Sequence, residues 1–482
     1  MLSLADYRSQ WFGNIRPDLL SGLVVALALI PEAIAFSIIA GVDPKVGLYA
    51  SFSIALITAI AGGRPGMISA ATASKAVLMV TLVKENGLQY LLAATILAGL
   101  LQIGMGLLKL GFVMRYVSKS VMTGFVNALA ILIFLAQLPK LDPGRVPMLT
   151  YPLGALGLAI IYLFLRLTTS IPSPLITIIV LTALVLALDL DVRNVGDMGA
   201  LPDTLPVFLL PNVPLTYQTL AIIFPYALAV AVVGLLESLM TANLIDEVTN
   251  TKSDRNQECI GQGLANFGTG FIGGMAGCAM IGQSIINVKS GGRGRLSCGF
   301  AGVMLLIFCV SLGDWVSLIP MPALVAIMVM VSIGTFSWAS LGNLRTHLRS
   351  RSVVMLTTVA AVIWTHNLAI GMGVGVLLSG LFFAAKIAQL FRVTSSEDAG
   401  TRTYRVEGQL FYGSVEDFSA AFDYRNPPAR VVVDVSDAHI WDISSVQALN
   451  AASATIVDRL GTMDRERAGD MLRTAVKENQ HV

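Results

Sequence analysis

Ionisable side chains inside long apolar runs are the residues of this sequence best suited to chemistry. Glu32 lies in the run LIPEAIAF, Glu237 lies in GLLESLMT, and Lys75 lies in ATASKAVLM. Burial in apolar surroundings disfavours the charged form of a carboxyl group, so Glu237 is a candidate proton carrier, whereas Glu32 is a candidate for the substrate pocket or a structural hydrogen bond. Ser238 adjoins Glu237 and Thr241 follows it by one helical turn, so their oxygen atoms could instead bind Na⁺. We therefore predict a site for a coupling cation, H⁺ or Na⁺, at Glu237, Ser238 and Thr241.

Two glycine-rich segments resemble each other, and each leads into a short apolar stretch. The first reads GGRPGMISAAT from Gly62, and the second reads GGMAGCAMIGQ from Gly273. Each lies downstream of an apolar run that carries one of the two glutamates. Corresponding short, glycine-broken segments in the two halves of a membrane protein point to the binding site of a transporter. Close packing of helices through small residues is the alternative interpretation.

A pair of broken helices would form an anion site. A helix that begins near the middle of the bilayer directs about half a positive charge and its free N–H groups at whatever lies before it. Two such ends that face each other bind an anion without a fixed cation. We expect this site around Ala71 and Gly282, where small side chains let a ligand approach the backbone closely.

The elements that carry these residues are predicted to be membrane helices. The chain has 482 residues, of which 55% are hydrophobic and 13% are charged, and its mean hydropathy is +0.74. Soluble domains are about a quarter charged, so this chain cannot cover its surface with polar groups in water. A spanning helix needs about 20 mostly apolar residues. Strong and weak candidate spans together predict about fourteen crossings, in two halves of about 17–188 and 218–392.

The distribution of basic residues predicts the orientation of these crossings. With both termini in the cytoplasm, the inner loops hold most of the Lys and Arg residues. The outer loops hold only Lys45, Lys84, Lys140, Arg145 and Arg193. This asymmetry agrees with the rule that basic residues stay inside, and it supports an even number of spans. We predict a multi-pass protein of the cell membrane.

Charge, cysteine and histidine content exclude several other classes of function. The net charge of +2 gives no basic surface for nucleic acid. The four cysteines lack CxxC spacing and the four histidines are scattered, so no metal centre is expected. No cluster has catalytic spacing, so we expect neither an enzyme nor an organic cofactor.

The composition changes after Arg392. Residues 404–407 and 410–412 are predicted to be short strands, residues 430–435 a buried strand, and residues 444–460 an amphipathic helix. We interpret residues 1–392 as the transmembrane domain and 393–482 as a small cytoplasmic α/β domain. No further apolar strand follows Leu460, so we expect this domain to be incomplete.

Long motifs in this sequence resemble those of the sulfate permease family of anion transporters. They are PDLLSGLVVALALIPEAIAF, GLLESLMTANLIDEVTNTKSDRNQECIGQGLANFGTGFIGG and NVKSGGRGRLS. The segments YRVEGQLFYGSVEDF and VVVDVSDAHIWDISSVQAL resemble the STAS domain that the family carries. The resemblance implies an α-helical membrane protein with fourteen helices in two inverted seven-helix repeats. It also implies a core domain, a gate domain, a STAS-like domain and a homodimer.

The resemblance also implies where the substrate binds. In the family the substrate lies between the third and tenth helices, and many relatives have Gln where this chain has Glu32. Lys75 in the third helix could attract an anion, or it could form an ion pair with Glu32 or Glu237. The predicted substrate-binding residues are Glu32, Phe36, Ala71, Thr72, Lys75, Met280, Ile281, Gly282 and Gln283.

Together these features predict a secondary active transporter of a small anion of the sulfate, dicarboxylate or bicarbonate class. We expect symport with protons by alternating access, with Glu237 as the proton site. A Na⁺-coupled bicarbonate transporter, an anion exchanger and an anion channel are the alternatives.

Overall fold

A computed structural model gives the fold of residues 4–111, 117–142, 144, 146–167, 173–202, 204–346, 349–365, 367–398, 400–424 and 430–460. The chain divides into two compact units, Met1–Val376 and Leu377–Val482. The division falls inside the last apolar helix, whereas we placed the domain boundary after Arg392. Residues 461–482 of the predicted C-terminal domain lie outside the described residues.

The first half of the membrane part consists of apolar helices and one short strand. The N-terminal helix α1 (Leu4–Phe12) precedes this half. The elements of the first half are α2 (Ile15–Ala40), α3 (Pro44–Ala61), β1 (Ser69–Ala71), α4 (Ala73–Asn86), α5 (Leu88–Leu107), α6 (Lys119–Leu135), α7 (Thr150–Leu167) and α8 (Ser173–Ala187).

The second half repeats this order with additional short helices. Its elements are α9 (Tyr217–Thr249), α10 (Arg255–Gly270), β2 (Gly277–Ala279), α11 (Ile281–Lys289), α12 (Arg295–Ser311), α13 (Gly313–Ser317), α14 (Met321–Thr335), α15 (Ala339–Thr346), α16 (Arg349–Thr365) and α17 (Leu368–Ala388). Over the described ranges, α2–α8 with α9–α12, α14, α16 and α17 are the fourteen predicted helices, so the predicted fold is confirmed.

The two halves pack around each other in a reciprocal way. The first helix of each half packs on the fourth helix of the other half, α2 on α12 and α9 on α5. The second helix of each half does the same, α3 on α12 and α10 on α5. The first helix of each half also contacts the half-helix of the other half, α2 with α11 and α9 with α4. We call α2–α5 with α9–α12 the core helices. Helices α6, α7, α8, α14 and α16 pack mainly among themselves, and we call them the gate helices.

A short antiparallel pair of strands joins the halves at the centre of the core helices. Ala70 of β1 is opposite Cys278 of β2, and all six strand residues are buried. Only glycine fits at position 277, because a Cβ there would clash with the Ala70 carbonyl oxygen. The side chain of Asn266 in α10 accepts a hydrogen bond from the Gly277 backbone N–H at 2.9 Å and donates one to the Gly277 carbonyl oxygen at 3.1 Å. We predicted the helices that follow these segments but not the strands.

Buried polar side chains tie the end of α3 to the second half. The Glu258 carboxylate accepts hydrogen bonds from the backbone N–H groups of Gly63 and Arg64, at 2.8 and 3.1 Å. Arg64 forms an ion pair with Asp246, with 3.3 Å between the nitrogen and oxygen atoms. Arg295 donates to the carbonyl groups of Ala59 and Gly62. Removing one member of such a buried network leaves the others unpaired, so these contacts hold the core helices together.

The C-terminal unit contains a three-stranded sheet with helices. Its elements are β3 (Phe391–Asp398), β4 (Thr401–Leu410), α18 (Val415–Ala420), β5 (Arg430–Ile440) and α19 (Ile443–Leu460). Strands β3 and β4 form an antiparallel hairpin, and β5 pairs with β4 in parallel. The core includes Val406, Phe418 and Leu449.

One prediction for this C-terminal unit was wrong and one strand was missed. The two predicted short strands at 404–412 are one strand that ends at Leu410, followed by a 3₁₀ turn at Tyr412–Ser414. The strand β3 was not predicted, because it is a largely exposed edge strand in which only Phe391 and Val393 are apolar.

We expect the substitution Gly277→Ala to destabilise the protein. The added methyl group meets the Ala70 carbonyl, so β1 and β2 must separate, at a cost of about 1–3 kcal/mol. The measurement is thermal unfolding in detergent, where the midpoint should fall. Gly104→Ala on α5 is the matched control, because nothing lies within 4 Å of a Cβ there. Equal midpoints for the two variants would contradict this role of Gly277.

Candidate anion site

The N-termini of α4 and α11 border one cavity of about 600 Å³. Thr72 and Ala73 at the start of α4 line it, and so do residues 280–283 at the start of α11. The core side of the cavity also includes Glu32 and Phe36 of α2 and Glu237 and Met240 of α9. The opposite wall comes from the gate helices α6, α8 and α14. The cavity therefore lies between the core helices and the gate helices.

Both half-helices begin without a side-chain cap. The N-cap residues are Thr72 and Met280, and neither side chain accepts a hydrogen bond from a backbone N–H of its own helix. The Thr72 hydroxyl instead lies 3.2 Å from Ser74 Oγ and 3.5 Å from Cys278 Sγ. A helix leaves its first backbone N–H groups without intrahelical partners. At α4 and α11 these donors and the positive ends of the helix dipoles lie at the cavity, which is a suitable environment for an anion.

Glu237 lies at the centre of a hydrogen-bond network behind the N-terminus of α4. Its Oε2 atom accepts hydrogen bonds from Ser74 Oγ at 2.6 Å and from Cys278 Sγ at 3.1 Å. The ammonium group of Lys75 lies 3.4 Å from the same oxygen, and the Lys75 side chain is fully buried while that of Glu237 is 12% exposed. Lys75 therefore forms an ion pair with Glu237 and is not among the residues that border the cavity.

The other glutamate has a corresponding but uncharged partner. The side chain of Gln283 lies beside the carboxyl group of Glu32, and both residues line the cavity. Lys75 is the third residue of α4 and Gln283 is the third residue of α11. Each half-helix thus places its third residue beside the glutamate of the first helix in the opposite half. Sequence reasoning proposed the Lys75 ion pair as an alternative but missed the contact between Glu32 and Gln283.

Besides Lys75, three of the predicted residues do not border the cavity, and other contacts hold them. Ala71 lies in β1 and is buried. Ser238 Oγ accepts a hydrogen bond from the backbone N–H of Ala279 at 3.1 Å. Thr241 Oγ1 donates to the Glu237 backbone carbonyl at 2.8 Å. The described residues contain no cluster of three or more His, Cys, Asp or Glu side chains that could hold a metal ion.

Sequence reasoning missed the gate side of the cavity. Its apolar and small residues are indistinguishable in sequence from lipid-facing ones, so no signal identified them. They are Phe125, Val126, Leu129 and Ile133 of α6, Ser173 and Pro174 of α8, and Met330, Val331, Gly334 and Thr335 of α14.

Residues 15–358 match the sequence profile of the sulfate permease family. The chain belongs to this family. It is 57% identical to the putative sulfate transporter YbaR of Bacillus subtilis strain 168, over 92% of each chain. It is also 24% identical to the bicarbonate transporter BicA of Picosynechococcus, over 93% of this chain and 88% of that protein. The protein is therefore an anion transporter of the membrane and not an enzyme.

Solved structures of anion transporters share the fold. The murine anion transporter Slc26a9 in its inward-facing state superimposes with a TM-score of 0.80 at 18% identity, covering 94% of this chain and 85% of that one. The transmembrane domain of a cyanobacterial BicA superimposes with a TM-score of 0.66 at 24% identity, covering 76% and 98%. The fourteen-helix transporter architecture is thus shared at low sequence identity.

We expect the substitution Gly282→Leu to block transport without unfolding the protein. A Cβ at Gly282 meets nothing within 4 Å, so a larger side chain extends into the cavity beside the α11 N–H groups. Uptake of radiolabelled sulfate into proteoliposomes should fall by about tenfold or more, equivalent to about 1.4 kcal/mol of lost binding.

Gly104→Leu on α5 is the matched control, because a Cβ there also meets open space but lies outside the cavity. Both variants should keep the wild-type unfolding midpoint. Normal uptake by the Gly282 variant would place the anion elsewhere.

Proposed function

We propose that the protein imports sulfate, or a closely similar small anion, together with protons by alternating access. The observation that carries this proposal is the pair of uncapped helix N-termini at one cavity that also contains two carboxyl groups. The substrate follows from YbaR, which is described as a putative sulfate transporter.

The ion pair between Lys75 and Glu237 provides a means of coupling. While Glu237 is ionised, its negative charge cancels the attraction that Lys75 would exert on an anion in the cavity. A proton on Glu237 removes this negative charge and leaves the Lys75 ammonium group without a charged partner. Anion binding and protonation therefore favour each other, and by linkage the effect is reciprocal. Protons that cross with the anion also offset part of its charge, which lowers the cost of moving that charge through the membrane.

The same ion pair favours H⁺ over Na⁺ as the coupling ion. The Lys75 ammonium group occupies the position beside Glu237 that a sodium ion would need. The hydroxyl groups of Ser238 and Thr241, the other predicted ligands, already take part in backbone hydrogen bonds. Na⁺-coupled bicarbonate transport is the second candidate, supported by the likeness to BicA.

Alternating access would move the core helices against the gate helices. Ser173, Ser290 and Thr335 line the cavity and lie at helix ends on the side of the membrane where α2 begins. With both termini in the cytoplasm of a bacterial cell, the cavity would open inward. We also propose that the protein acts as a homodimer, as the family resemblance implies.

We expect Glu237→Gln to retain sulfate uptake but to weaken its stimulation by external acid. The amide cannot release a proton, so the linkage at this position is lost. A single coupled proton changes uptake by up to about tenfold per pH unit, and this contribution should disappear. The measurement is initial uptake of radiolabelled sulfate into proteoliposomes as the external pH is lowered at constant internal pH.

Glu247→Gln is the matched control, because Glu247 lies on the same helix but is exposed and remote from the cavity. Its pH profile should equal that of the wild type. If Glu237→Gln shows an unchanged acid stimulation, Glu237 is not a coupling site.

A further inference from the structure

Two carboxyl groups face the cavity, and they lie in corresponding environments. Glu32 and Glu237 are the titratable residues among the described residues that line it. Each lies beside the third residue of a half-helix from the opposite half. One partner is the charged Lys75 and the other is the neutral Gln283. The site therefore holds two carboxyl groups but a single buried ammonium group.

The other elements packed against α2 bring no further charge to the cavity. The lining residues of α8, α11 and α14 carry no ionisable side chain. Helices α3 and α12 pack on α2 away from the cavity, and their titratable residues are Lys45, Tyr49, Arg295, Cys298 and Cys309, none of which borders it. The charge at the site is thus set by Lys75, Glu32 and Glu237.

A count of charges indicates how many protons accompany a divalent anion. In the empty site with both carboxylates ionised, Lys75 offsets one negative charge and one negative charge remains. A bound dianion with one proton would add a net negative charge to this buried site, which is costly in a low-dielectric medium. A dianion with two protons leaves the charge of the site unchanged.

We propose that Glu32 is a second proton site and that one sulfate is carried with two protons, so that transport is electroneutral. This inference rests on the proposed function and specifies its coupling. During a cycle each carboxylate binds one proton from the outer solution while sulfate binds, and both protons leave with sulfate on the inner side. The side chain of Gln283 beside Glu32 suits either form of this carboxyl group, because an amide can donate to a carboxylate or accept from a carboxylic acid.

The experiment measures the pH gradient that balances a sulfate gradient. Purified protein is reconstituted in liposomes with radiolabelled sulfate at a tenfold gradient, and the membrane potential is set with potassium and valinomycin. At zero potential, net sulfate flux stops when the pH difference across the membrane is about half a pH unit for two protons per sulfate, or about one pH unit for a single proton. With two protons the balance point is also independent of the membrane potential.

We expect the wild type to balance at the smaller pH gradient, with no dependence on potential. Glu32→Gln should shift the balance to the larger gradient and make it depend on potential. Glu85→Gln at the exposed end of α4 is the control and should behave as the wild type. A wild-type balance at the pH gradient expected for one proton, or an unchanged balance in Glu32→Gln, would overturn the proposed role of Glu32 but not the proposed function. No pH-driven sulfate flux in the wild type would overturn the proposed function and this inference together.

Discussion

The antiparallel contact between β1 and β2 is the constraint on which the site depends. Three residues from each half pair at the centre of the core helices, and each strand continues within two residues into a half-helix. The geometry of an antiparallel pair places the two helix starts at the same cavity from opposite chain directions. The strands also satisfy backbone groups that would otherwise be unpaired at membrane depth. Small residues such as Ala70 and Gly277 are needed because the two backbones approach closely here.

The two halves contribute nearly equivalent residues to the site, and they differ in the charge of the residue beside each glutamate. Two first helices supply glutamates and two half-helices supply their partners, yet only the α4 partner is charged. A fixed ammonium group raises anion affinity but would make release slow if it faced the anion directly. In the proposed mechanism the ion pair with Glu237 avoids this, since the charge of Lys75 would become available only when that carboxyl group is protonated. Anion affinity would then be tied to protonation and would not remain permanently high.

The sequence was sufficient for the number and type of the membrane elements but not for their pairing. Long apolar runs predict spans such as α2 and α9 because membrane helices must be apolar throughout. Strands of three residues have no periodicity, so β1 and β2 left no such signal. An alignment of the two GGxxG segments matches Lys75 with Ile286. The register of Ala70 with Cys278 instead makes Lys75 the counterpart of Gln283, because the two segments differ in length before their strands.

In the proposed mechanism, the difference in chemistry between the two cavity walls allows the core helices to move against the gate helices. The polar groups that can hold an anion or a proton, which are the helix N-termini, Glu32, Glu237 and Gln283, belong to the core helices. The gate wall presents mainly apolar side chains such as Phe125, Leu129 and Met330. Such a wall excludes water from one side of the site without bonding to the solute. In the proposed mechanism the core helices can therefore carry the bound anion along the gate helices without breaking hydrogen bonds to them, which keeps the barrier to this movement low.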